Sequence, residues 1–250
     1  MYDYGRLVFL DNQKTGSTYV SLFLKSCCAL EHIKSAKHRP ITASYRDDAV
    51  YFSTVRKPVS LYISLFQYGR DKRGSTYTSL RKRGLLDLYE SFPRWLEFVL
   101  DEANAPIFQE QYGRFAHLGI GIMSYRAMRI TLQYPTKTLL GAKSHDDLID
   151  IWSRHNIAHH IFRQEELNVG LYQFATETVP EFFHQDAVRS FLDSPERVNV
   201  SKARKDAAVP GELMQRILEK EQFLTEKFYP DRQGQPSGPP LSLVSERSAL

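Results

Sequence analysis

Two short apolar runs, each followed by a polar turn and then a helical repeat, decide the fold class of this chain. Residues 6–11 (RLVFLD) have the look of a buried strand. A polar turn covers residues 12–16, and from residue 17 to 30 the apolar positions Val20, Phe23, Leu24 and Cys27 recur at helical spacing. The unit then repeats. Residues 49–55 (AVYFSTV) are rich in β-formers, Pro58 suits a first helical turn, and Val59, Tyr62, Ile63 and Phe66 give an apolar helix face ending near Gly69. Strand, loop and helix in alternation predict an α/β fold with a mainly parallel sheet. In such sheets ligands gather at the carboxyl ends of the strands, and both turns stand at such ends.

The remaining pattern is helical with one further strand. Residues 70–83 hold six basic residues among Gly, Ser and Thr and read as a mobile, exposed loop. Helices are predicted over 88–100, 119–132, 146–154 and 167–174, a strand over 159–162, and one long helix over 211–228 with Leu213, Ile217, Phe223 and Leu224 in phase. Trp95 and Trp152 fall at helical spacing with other apolar residues and are expected in the core. After Pro230 the periodicity fades into Gly, Pro and Ser, so residues 1–231 are read as one domain and 232–250 as a disordered tail.

Charge and cysteine usage exclude several classes. A net charge of +4, from 33 basic and 29 acidic residues, is too small for a nucleic-acid coat but suits a local anion pocket. Cys27 and Cys28 are adjacent, which disfavours a disulfide and lacks zinc spacing, so reduced thiols are expected. His155, His159 and His160 likewise miss the zinc patterns, and no metal is called for. No apolar stretch has the length of a membrane span and no basic-then-apolar leader opens the chain, so a cytoplasmic protein is expected.

The turn Gln13-Lys14-Thr15-Gly16-Ser17-Thr18 carries the clearest chemistry. A helix N-terminus offers free N–H groups and positive partial charge. Gly16 lets the backbone approach an anion, Ser17 and Thr18 add hydroxyls, and Lys14 adds a point charge. The pattern departs from G-x-x-x-x-G-K-[ST], because the lysine precedes the glycine. The second strand ends in Thr54-Val55-Arg56 rather than a magnesium-holding aspartate, which points to a phosphate handled by cations and dipoles. Arg56 offers a donor fork to a second phosphate, and Ser64 lies eight residues on, within the next helix.

Together these segments resemble the two cofactor signatures of the sulfotransferases that use 3′-phosphoadenosine-5′-phosphosulfate (PAPS). Lys14-Thr15-Gly16-Ser17-Thr18 resembles the 5′-phosphosulfate loop, and Arg56 through Pro58 to Ser64 resembles the 3′-phosphate motif R-x-P-x-x-x-x-x-S. The likeness is closest to the carbohydrate and heparan 2-O-sulfotransferase branch and its bacterial relatives. Arg163-Gln164-Glu165-Glu166-Leu167 looks like the mid-chain strand-end segment, and residues 197–202, with Ser201 and Lys202, look like the C-terminal cofactor loop. Lys57 and Leu61 depart from the acidic residue and second arginine usual there.

The resemblance implies a three-layer P-loop-like fold with helices flanking the sheet. It also implies transfer of a sulfuryl group from PAPS to a hydroxyl, leaving PAP, without a metal. Lys14 would neutralise the leaving phosphate, the loop from Thr15 to Thr18 would hold it, and Arg56, Ser64, Ser201 and Lys202 would complete the donor site. His38, in Lys37-His38-Arg39-Pro40 between the two motifs, is the expected base, with His32 in reserve. The acceptor stays open among glycans and other small-molecule alcohols, and neither nucleic acid nor a particular oligomeric state is implied. The competing readings are a P-loop kinase or nucleotide hydrolase, which the missing glycine and aspartate disfavour, and an inactive PAP- or glycan-binding protein of the same fold.

Overall fold

The strand Leu7–Leu10 is buried at all four positions, with Leu7 and Phe9 entering one core and Val8 and Leu10 the other. Period-two alternation with both faces apolar is what a strand sandwiched between helices requires. The computed structural model describes residues 1–42, 45–108, 110–193 and 209–230. Ser201, Lys202 and the expected tail at 232–250 lie outside the described residues.

In chain order the main elements are β1 (Tyr2–Asp3), β2 (Leu7–Leu10), α1 (Ser17–Cys27), β3 (Lys34–Ser35), β4 (Val50–Val55), α2 (Pro58–Arg70), α3 (Gly74–Lys82) and α4 (Phe92–Leu100). Next come α5 (Ile122–Thr131), α6 (Pro135–Leu139), α7 (His145–His155), β5 (His160–Arg163), α8 (Leu167–Gln173), α9 (Gln185–Asp193), α10 (Gly211–Lys220) and α11 (Gln222–Phe228). The sheet has five strands in the order β3-β1-β2-β4-β5. β2, β4 and β5 run parallel, and β1 and β3 add an antiparallel edge, so the sheet is mixed. The two-residue edge strands are too short to show a period in the sequence.

Two apolar cores cover the two faces of the sheet. Phe9, Phe52 and Phe162 pack with Phe23 and Leu24 of α1 and Leu171 of α8. Tyr51, Val55 and Ile161 pack against α2, α4, α5, α7, α10 and α11, with Trp95 fully buried and Trp152 nearly so. Cys27 and Cys28 are free thiols, and burial pushes Cys27 up to about 11, so it serves as an uncharged core atom. His159 Nδ1 accepts the Tyr51 N–H at 2.9 Å, joining β5 to β4. Among the described residues no helix is long and apolar enough to cross a membrane.

Two expectations are corrected. Residues 70–83 are not a loop: most form α3, with Thr76, Ser79 and Leu80 buried beneath a basic exposed side. Buried Thr and Ser hid the apolar period. The helix expected over 211–228 is two, α10 and α11, interrupted at Glu221. Glu221 is fully buried and turns inward, where its carboxylate accepts the Tyr62 hydroxyl at 2.6 Å and the N–H groups of Met123 and Ser124 at 3.1 and 2.6 Å. It caps the N-terminus of α5, satisfying donors that the helix itself leaves free.

Candidate functional site

The carboxyl ends of β2, β4 and β5 converge, and each delivers part of one polar site. From β2 the chain passes through Asp11 and Asn12 into a tight turn, where Lys14 (φ 63) and Gly16 (φ 93) both adopt left-handed backbone. A Cβ on Gly16 would stand 3.0 Å from Leu167 Cδ2, so glycine is needed for space as well as dihedral. The turn is fixed from within. Thr15 is fully buried, its hydroxyl donating to Asn12 C=O at 3.0 Å and pairing with the Thr54 hydroxyl of β4 at 2.6 Å. The Thr15 side chain therefore shapes the loop, and only its backbone remains for a ligand.

Helix α1 opens directly after this turn. Its first internal bond runs from Val20 N–H to Gly16 C=O, leaving the N–H groups of Ser17, Thr18 and Tyr19 ahead of the helical ladder. Ser17 is half-buried and Thr18 exposed at this mouth, and no side chain caps it among the described residues.

Arg56, just past the end of β4, reaches across, and its Nη1 donates to Lys14 C=O at 3.4 Å. Its Nε is buried without a hydrogen-bond partner among the described residues. Lys14 Nζ lies 4.0 Å above the Tyr68 ring of α2, and the Arg73 guanidinium lies 4.9 Å from the same ring. Burial, then Arg56 and Arg73, hold Lys14 below the usual lysine range, with Asp71 opposing weakly. Burial likewise lowers Arg56, against the pull of Glu165. Three cations thus share one partly desolvated corner.

From β5, Glu165 completes the frame. Its Oε1 accepts the Lys57 N–H at 3.0 Å, capping α2, and its Oε2 accepts the Tyr229 hydroxyl at 2.9 Å. Burial first, then Glu165, raises Tyr229 far above its usual range, keeping it a neutral donor. Ser64 is half-buried on α2 and makes no hydrogen bond to Arg56 among the described residues.

A second network adjoins the loop. Gln13 Nε2 donates to Glu110 Oε1 at 2.9 Å, and Glu110 Oε2 receives Arg126 Nε at 3.3 Å and faces Arg129 Nη1 at 3.8 Å. Arg129 also donates to His38 C=O at 3.1 Å. His38 is left-handed at φ 56, with its ring 35% exposed against the fully buried Asp11. His32, the reserve, pairs with Ser35 and Tyr4 at the antiparallel edge of the sheet. Lys14, His38 and Glu110, all at this site, have non-glycine left-handed backbone, which costs about 1–3 kcal/mol each and clusters where function demands it.

The structure thus brings Lys14, Thr15, Gly16, Ser17, Thr18 and Arg56 together, with His38 beside them across Asp11. Arg73, Glu110, Arg129 and Asp11 were not expected. The signal for Arg73 was its place in the basic run at 70–83; isolated residues such as Glu110 carried none. No protein-family model, curated protein or solved structure matches this chain.

Proposed function

We propose that this protein is a sulfotransferase that moves a sulfuryl group from PAPS to an acceptor hydroxyl, on a three-layer P-loop-like fold. The observation that carries the reading is the corner formed by Lys14, Arg56 and Arg73 at the start of α1. There burial and mutual repulsion outweigh the pull of Asp71 on Lys14 and of Glu165 on Arg56, and a buried guanidinium N–H of Arg56 has no partner among the described residues. Such a site gains most from a multiply charged anion. A donor with a 5′-phosphosulfate and a 3′-phosphate supplies two such groups. The glycine turn and the free N–H groups of α1 suit the first, and Arg56, at the neighbouring strand end, suits the second.

The donor, when bound, supplies an activated sulfuryl group with PAP as leaving group. The chain's own residues do the rest. Lys14 offsets charge on the leaving phosphate oxygen as the S–O bond breaks, and the N–H groups of Ser17 and Thr18, at the first turn of α1, donate to that phosphate. His38 takes the acceptor proton as the new O–S bond forms, a contribution typically of about 10²–10⁴-fold. Arg56 and the Ser64 hydroxyl hold the 3′-phosphate. The acceptor class is a glycan or other small-molecule alcohol, and no step requires a metal.

Calorimetry with PAP, beside ATP with magnesium, tests the donor site. PAP should bind the wild type, weaken by about tenfold or more in Lys14→Ala and in Arg56→Ala, and bind more tightly than ATP. A folded protein that ignores PAP would falsify the sulfuryl-transfer reading.

A further inference from the structure

We infer that Asp11 is a positioning residue that fixes the tautomer of His38 and offsets the positive charge the ring acquires. The inference deepens the sulfuryl-transfer reading and rests on it for the step in which the ring acts. The geometry stands by itself. His38 Nδ1 lies 3.3 Å from Asp11 Oδ2 and 3.3 Å from Asp11 C=O. A carbonyl oxygen and an ionised carboxylate are acceptors only, so the ring nitrogen between them carries the hydrogen. In the neutral ring the other nitrogen, Nε2, is then left with its lone pair free. The ring is 35% exposed while Asp11 is fully buried, so the solvent-reaching part of the pair is the imidazole.

Several contacts hold this arrangement. Asp11 Oδ2 also accepts the His38 backbone N–H at 3.3 Å, and Arg129 Nη1 donates to His38 C=O at 3.1 Å. These bonds pin a residue whose φ of 56 is unfavourable without outside support. The position of Asp11 is unusual for a structural carboxylate. It is fully buried, and its Oδ1 has no hydrogen-bond partner among the described residues. A buried, half-satisfied carboxylate costs stability unless something compensates. The N-terminal ammonium of Met1, which Asp11 attracts, is one such compensation, and a cation on the neighbouring ring is a second.

In the transfer step the acceptor oxygen donates a lone pair to sulfur, and the S–O bond to the 5′-phosphate breaks with its electron pair staying on the phosphate oxygen. The acceptor proton passes to His38 Nε2, giving an imidazolium whose Nδ1–H faces the Asp11 carboxylate. No further reactant is needed.

The test is nitrogen-15 and proton NMR of histidine-labelled protein at alkaline pH, with the His38 signals assigned by their loss in His38→Ala. The wild-type ring should carry its proton on Nδ1, with Nε2 bare and the Nδ1-bound proton far downfield. In Asp11→Asn that proton should move upfield. A wild-type ring protonated on Nε2, or a proton unmoved in Asp11→Asn, overturns the inference. If Asp11→Asn does not fold, the wild-type resonance decides: an Nδ1–H without downfield displacement means the Asp11 carbonyl alone holds the ring. PAP calorimetry on the same wild-type sample separates the two claims. Failure to bind PAP removes the transfer reading and leaves the Asp11–His38 tautomer as measured.

Discussion

Lys14 holds its charge against burial and two neighbouring cations. Burial and the nearby Arg56 and Arg73 hold its pKa down, so part of the free protein loses this proton at alkaline pH. A bound anion reverses the sign of the local field and restores the proton. PAP binding at alkaline pH should therefore take up protons, read as a binding enthalpy that varies with buffer ionisation, and affinity should fall as pH rises. Arg73→Ala relieves one source of repulsion but removes one cation; the lost attraction to a multiply charged ligand dominates, and PAP should bind about tenfold more weakly, or about 1.4 kcal/mol. Gly16→Ala combines φ 93 with a Cβ 3.0 Å from Leu167. It should cost about 1–2 kcal/mol in denaturant unfolding and weaken PAP binding, because the turn must open where the phosphate sits.

Elements rather than residues explain where the sequence was readable. β2, β4, α1 and α2 were legible because apolar period and turn chemistry agreed, and the loop that they position followed directly. α3 was not, because its inward face carries Thr76 and Ser79 beside Leu80. The break between α10 and α11 was hidden because Glu221 looks like one more surface acid in a charged helix, while in the fold it caps α5 from a fully buried position. Burial raises the Glu221 pKa, with its hydrogen bonds opposing. The folded state therefore holds this proton more tightly than the unfolded chain, so the group's contribution is fully present below the unfolded value of 4.5 and is lost as pH rises through the folded pKa. The stability margin of wild type over Glu221→Gln should narrow across that window in urea titrations at several pH values. Gly121→Ala would place a Cβ 2.2 Å from Glu221 Oε1 and 2.9 Å from the Lys220 carbonyl. About 3 kcal/mol of destabilisation is expected, since backbone stands on one side of the clash.

At the scale of the molecule, the site belongs to no single segment. Lys14 comes from the turn after β2, Arg56 from the end of β4, Glu165 from the turn after β5, and Arg73 from the start of α3. The strands that carry the first three are hydrogen-bonded neighbours with separate cores on either face. Sequence motifs could name three of these contributors, but the meeting of Arg73 with Lys14 across Tyr68 depends on how α3 folds back on α2. A ligand that bridges these elements is bound by the folded chain and by nothing in the unfolded one, so it should stabilise the fold as a unit. At a PAP concentration one hundred times its dissociation constant the gain is about 2.7 kcal/mol. For a chain of this length that is a rise of roughly 5–11 °C in the unfolding midpoint. At the same PAP concentration a tenfold weaker site keeps about 1.4 kcal/mol, so the rise should fall by about half or more in Lys14→Ala and in Arg56→Ala, although those residues sit at the ends of different strands. A shift that keeps its full size in either variant would mean that PAP is held by one loop alone, and the shared cationic corner would then not be the donor site.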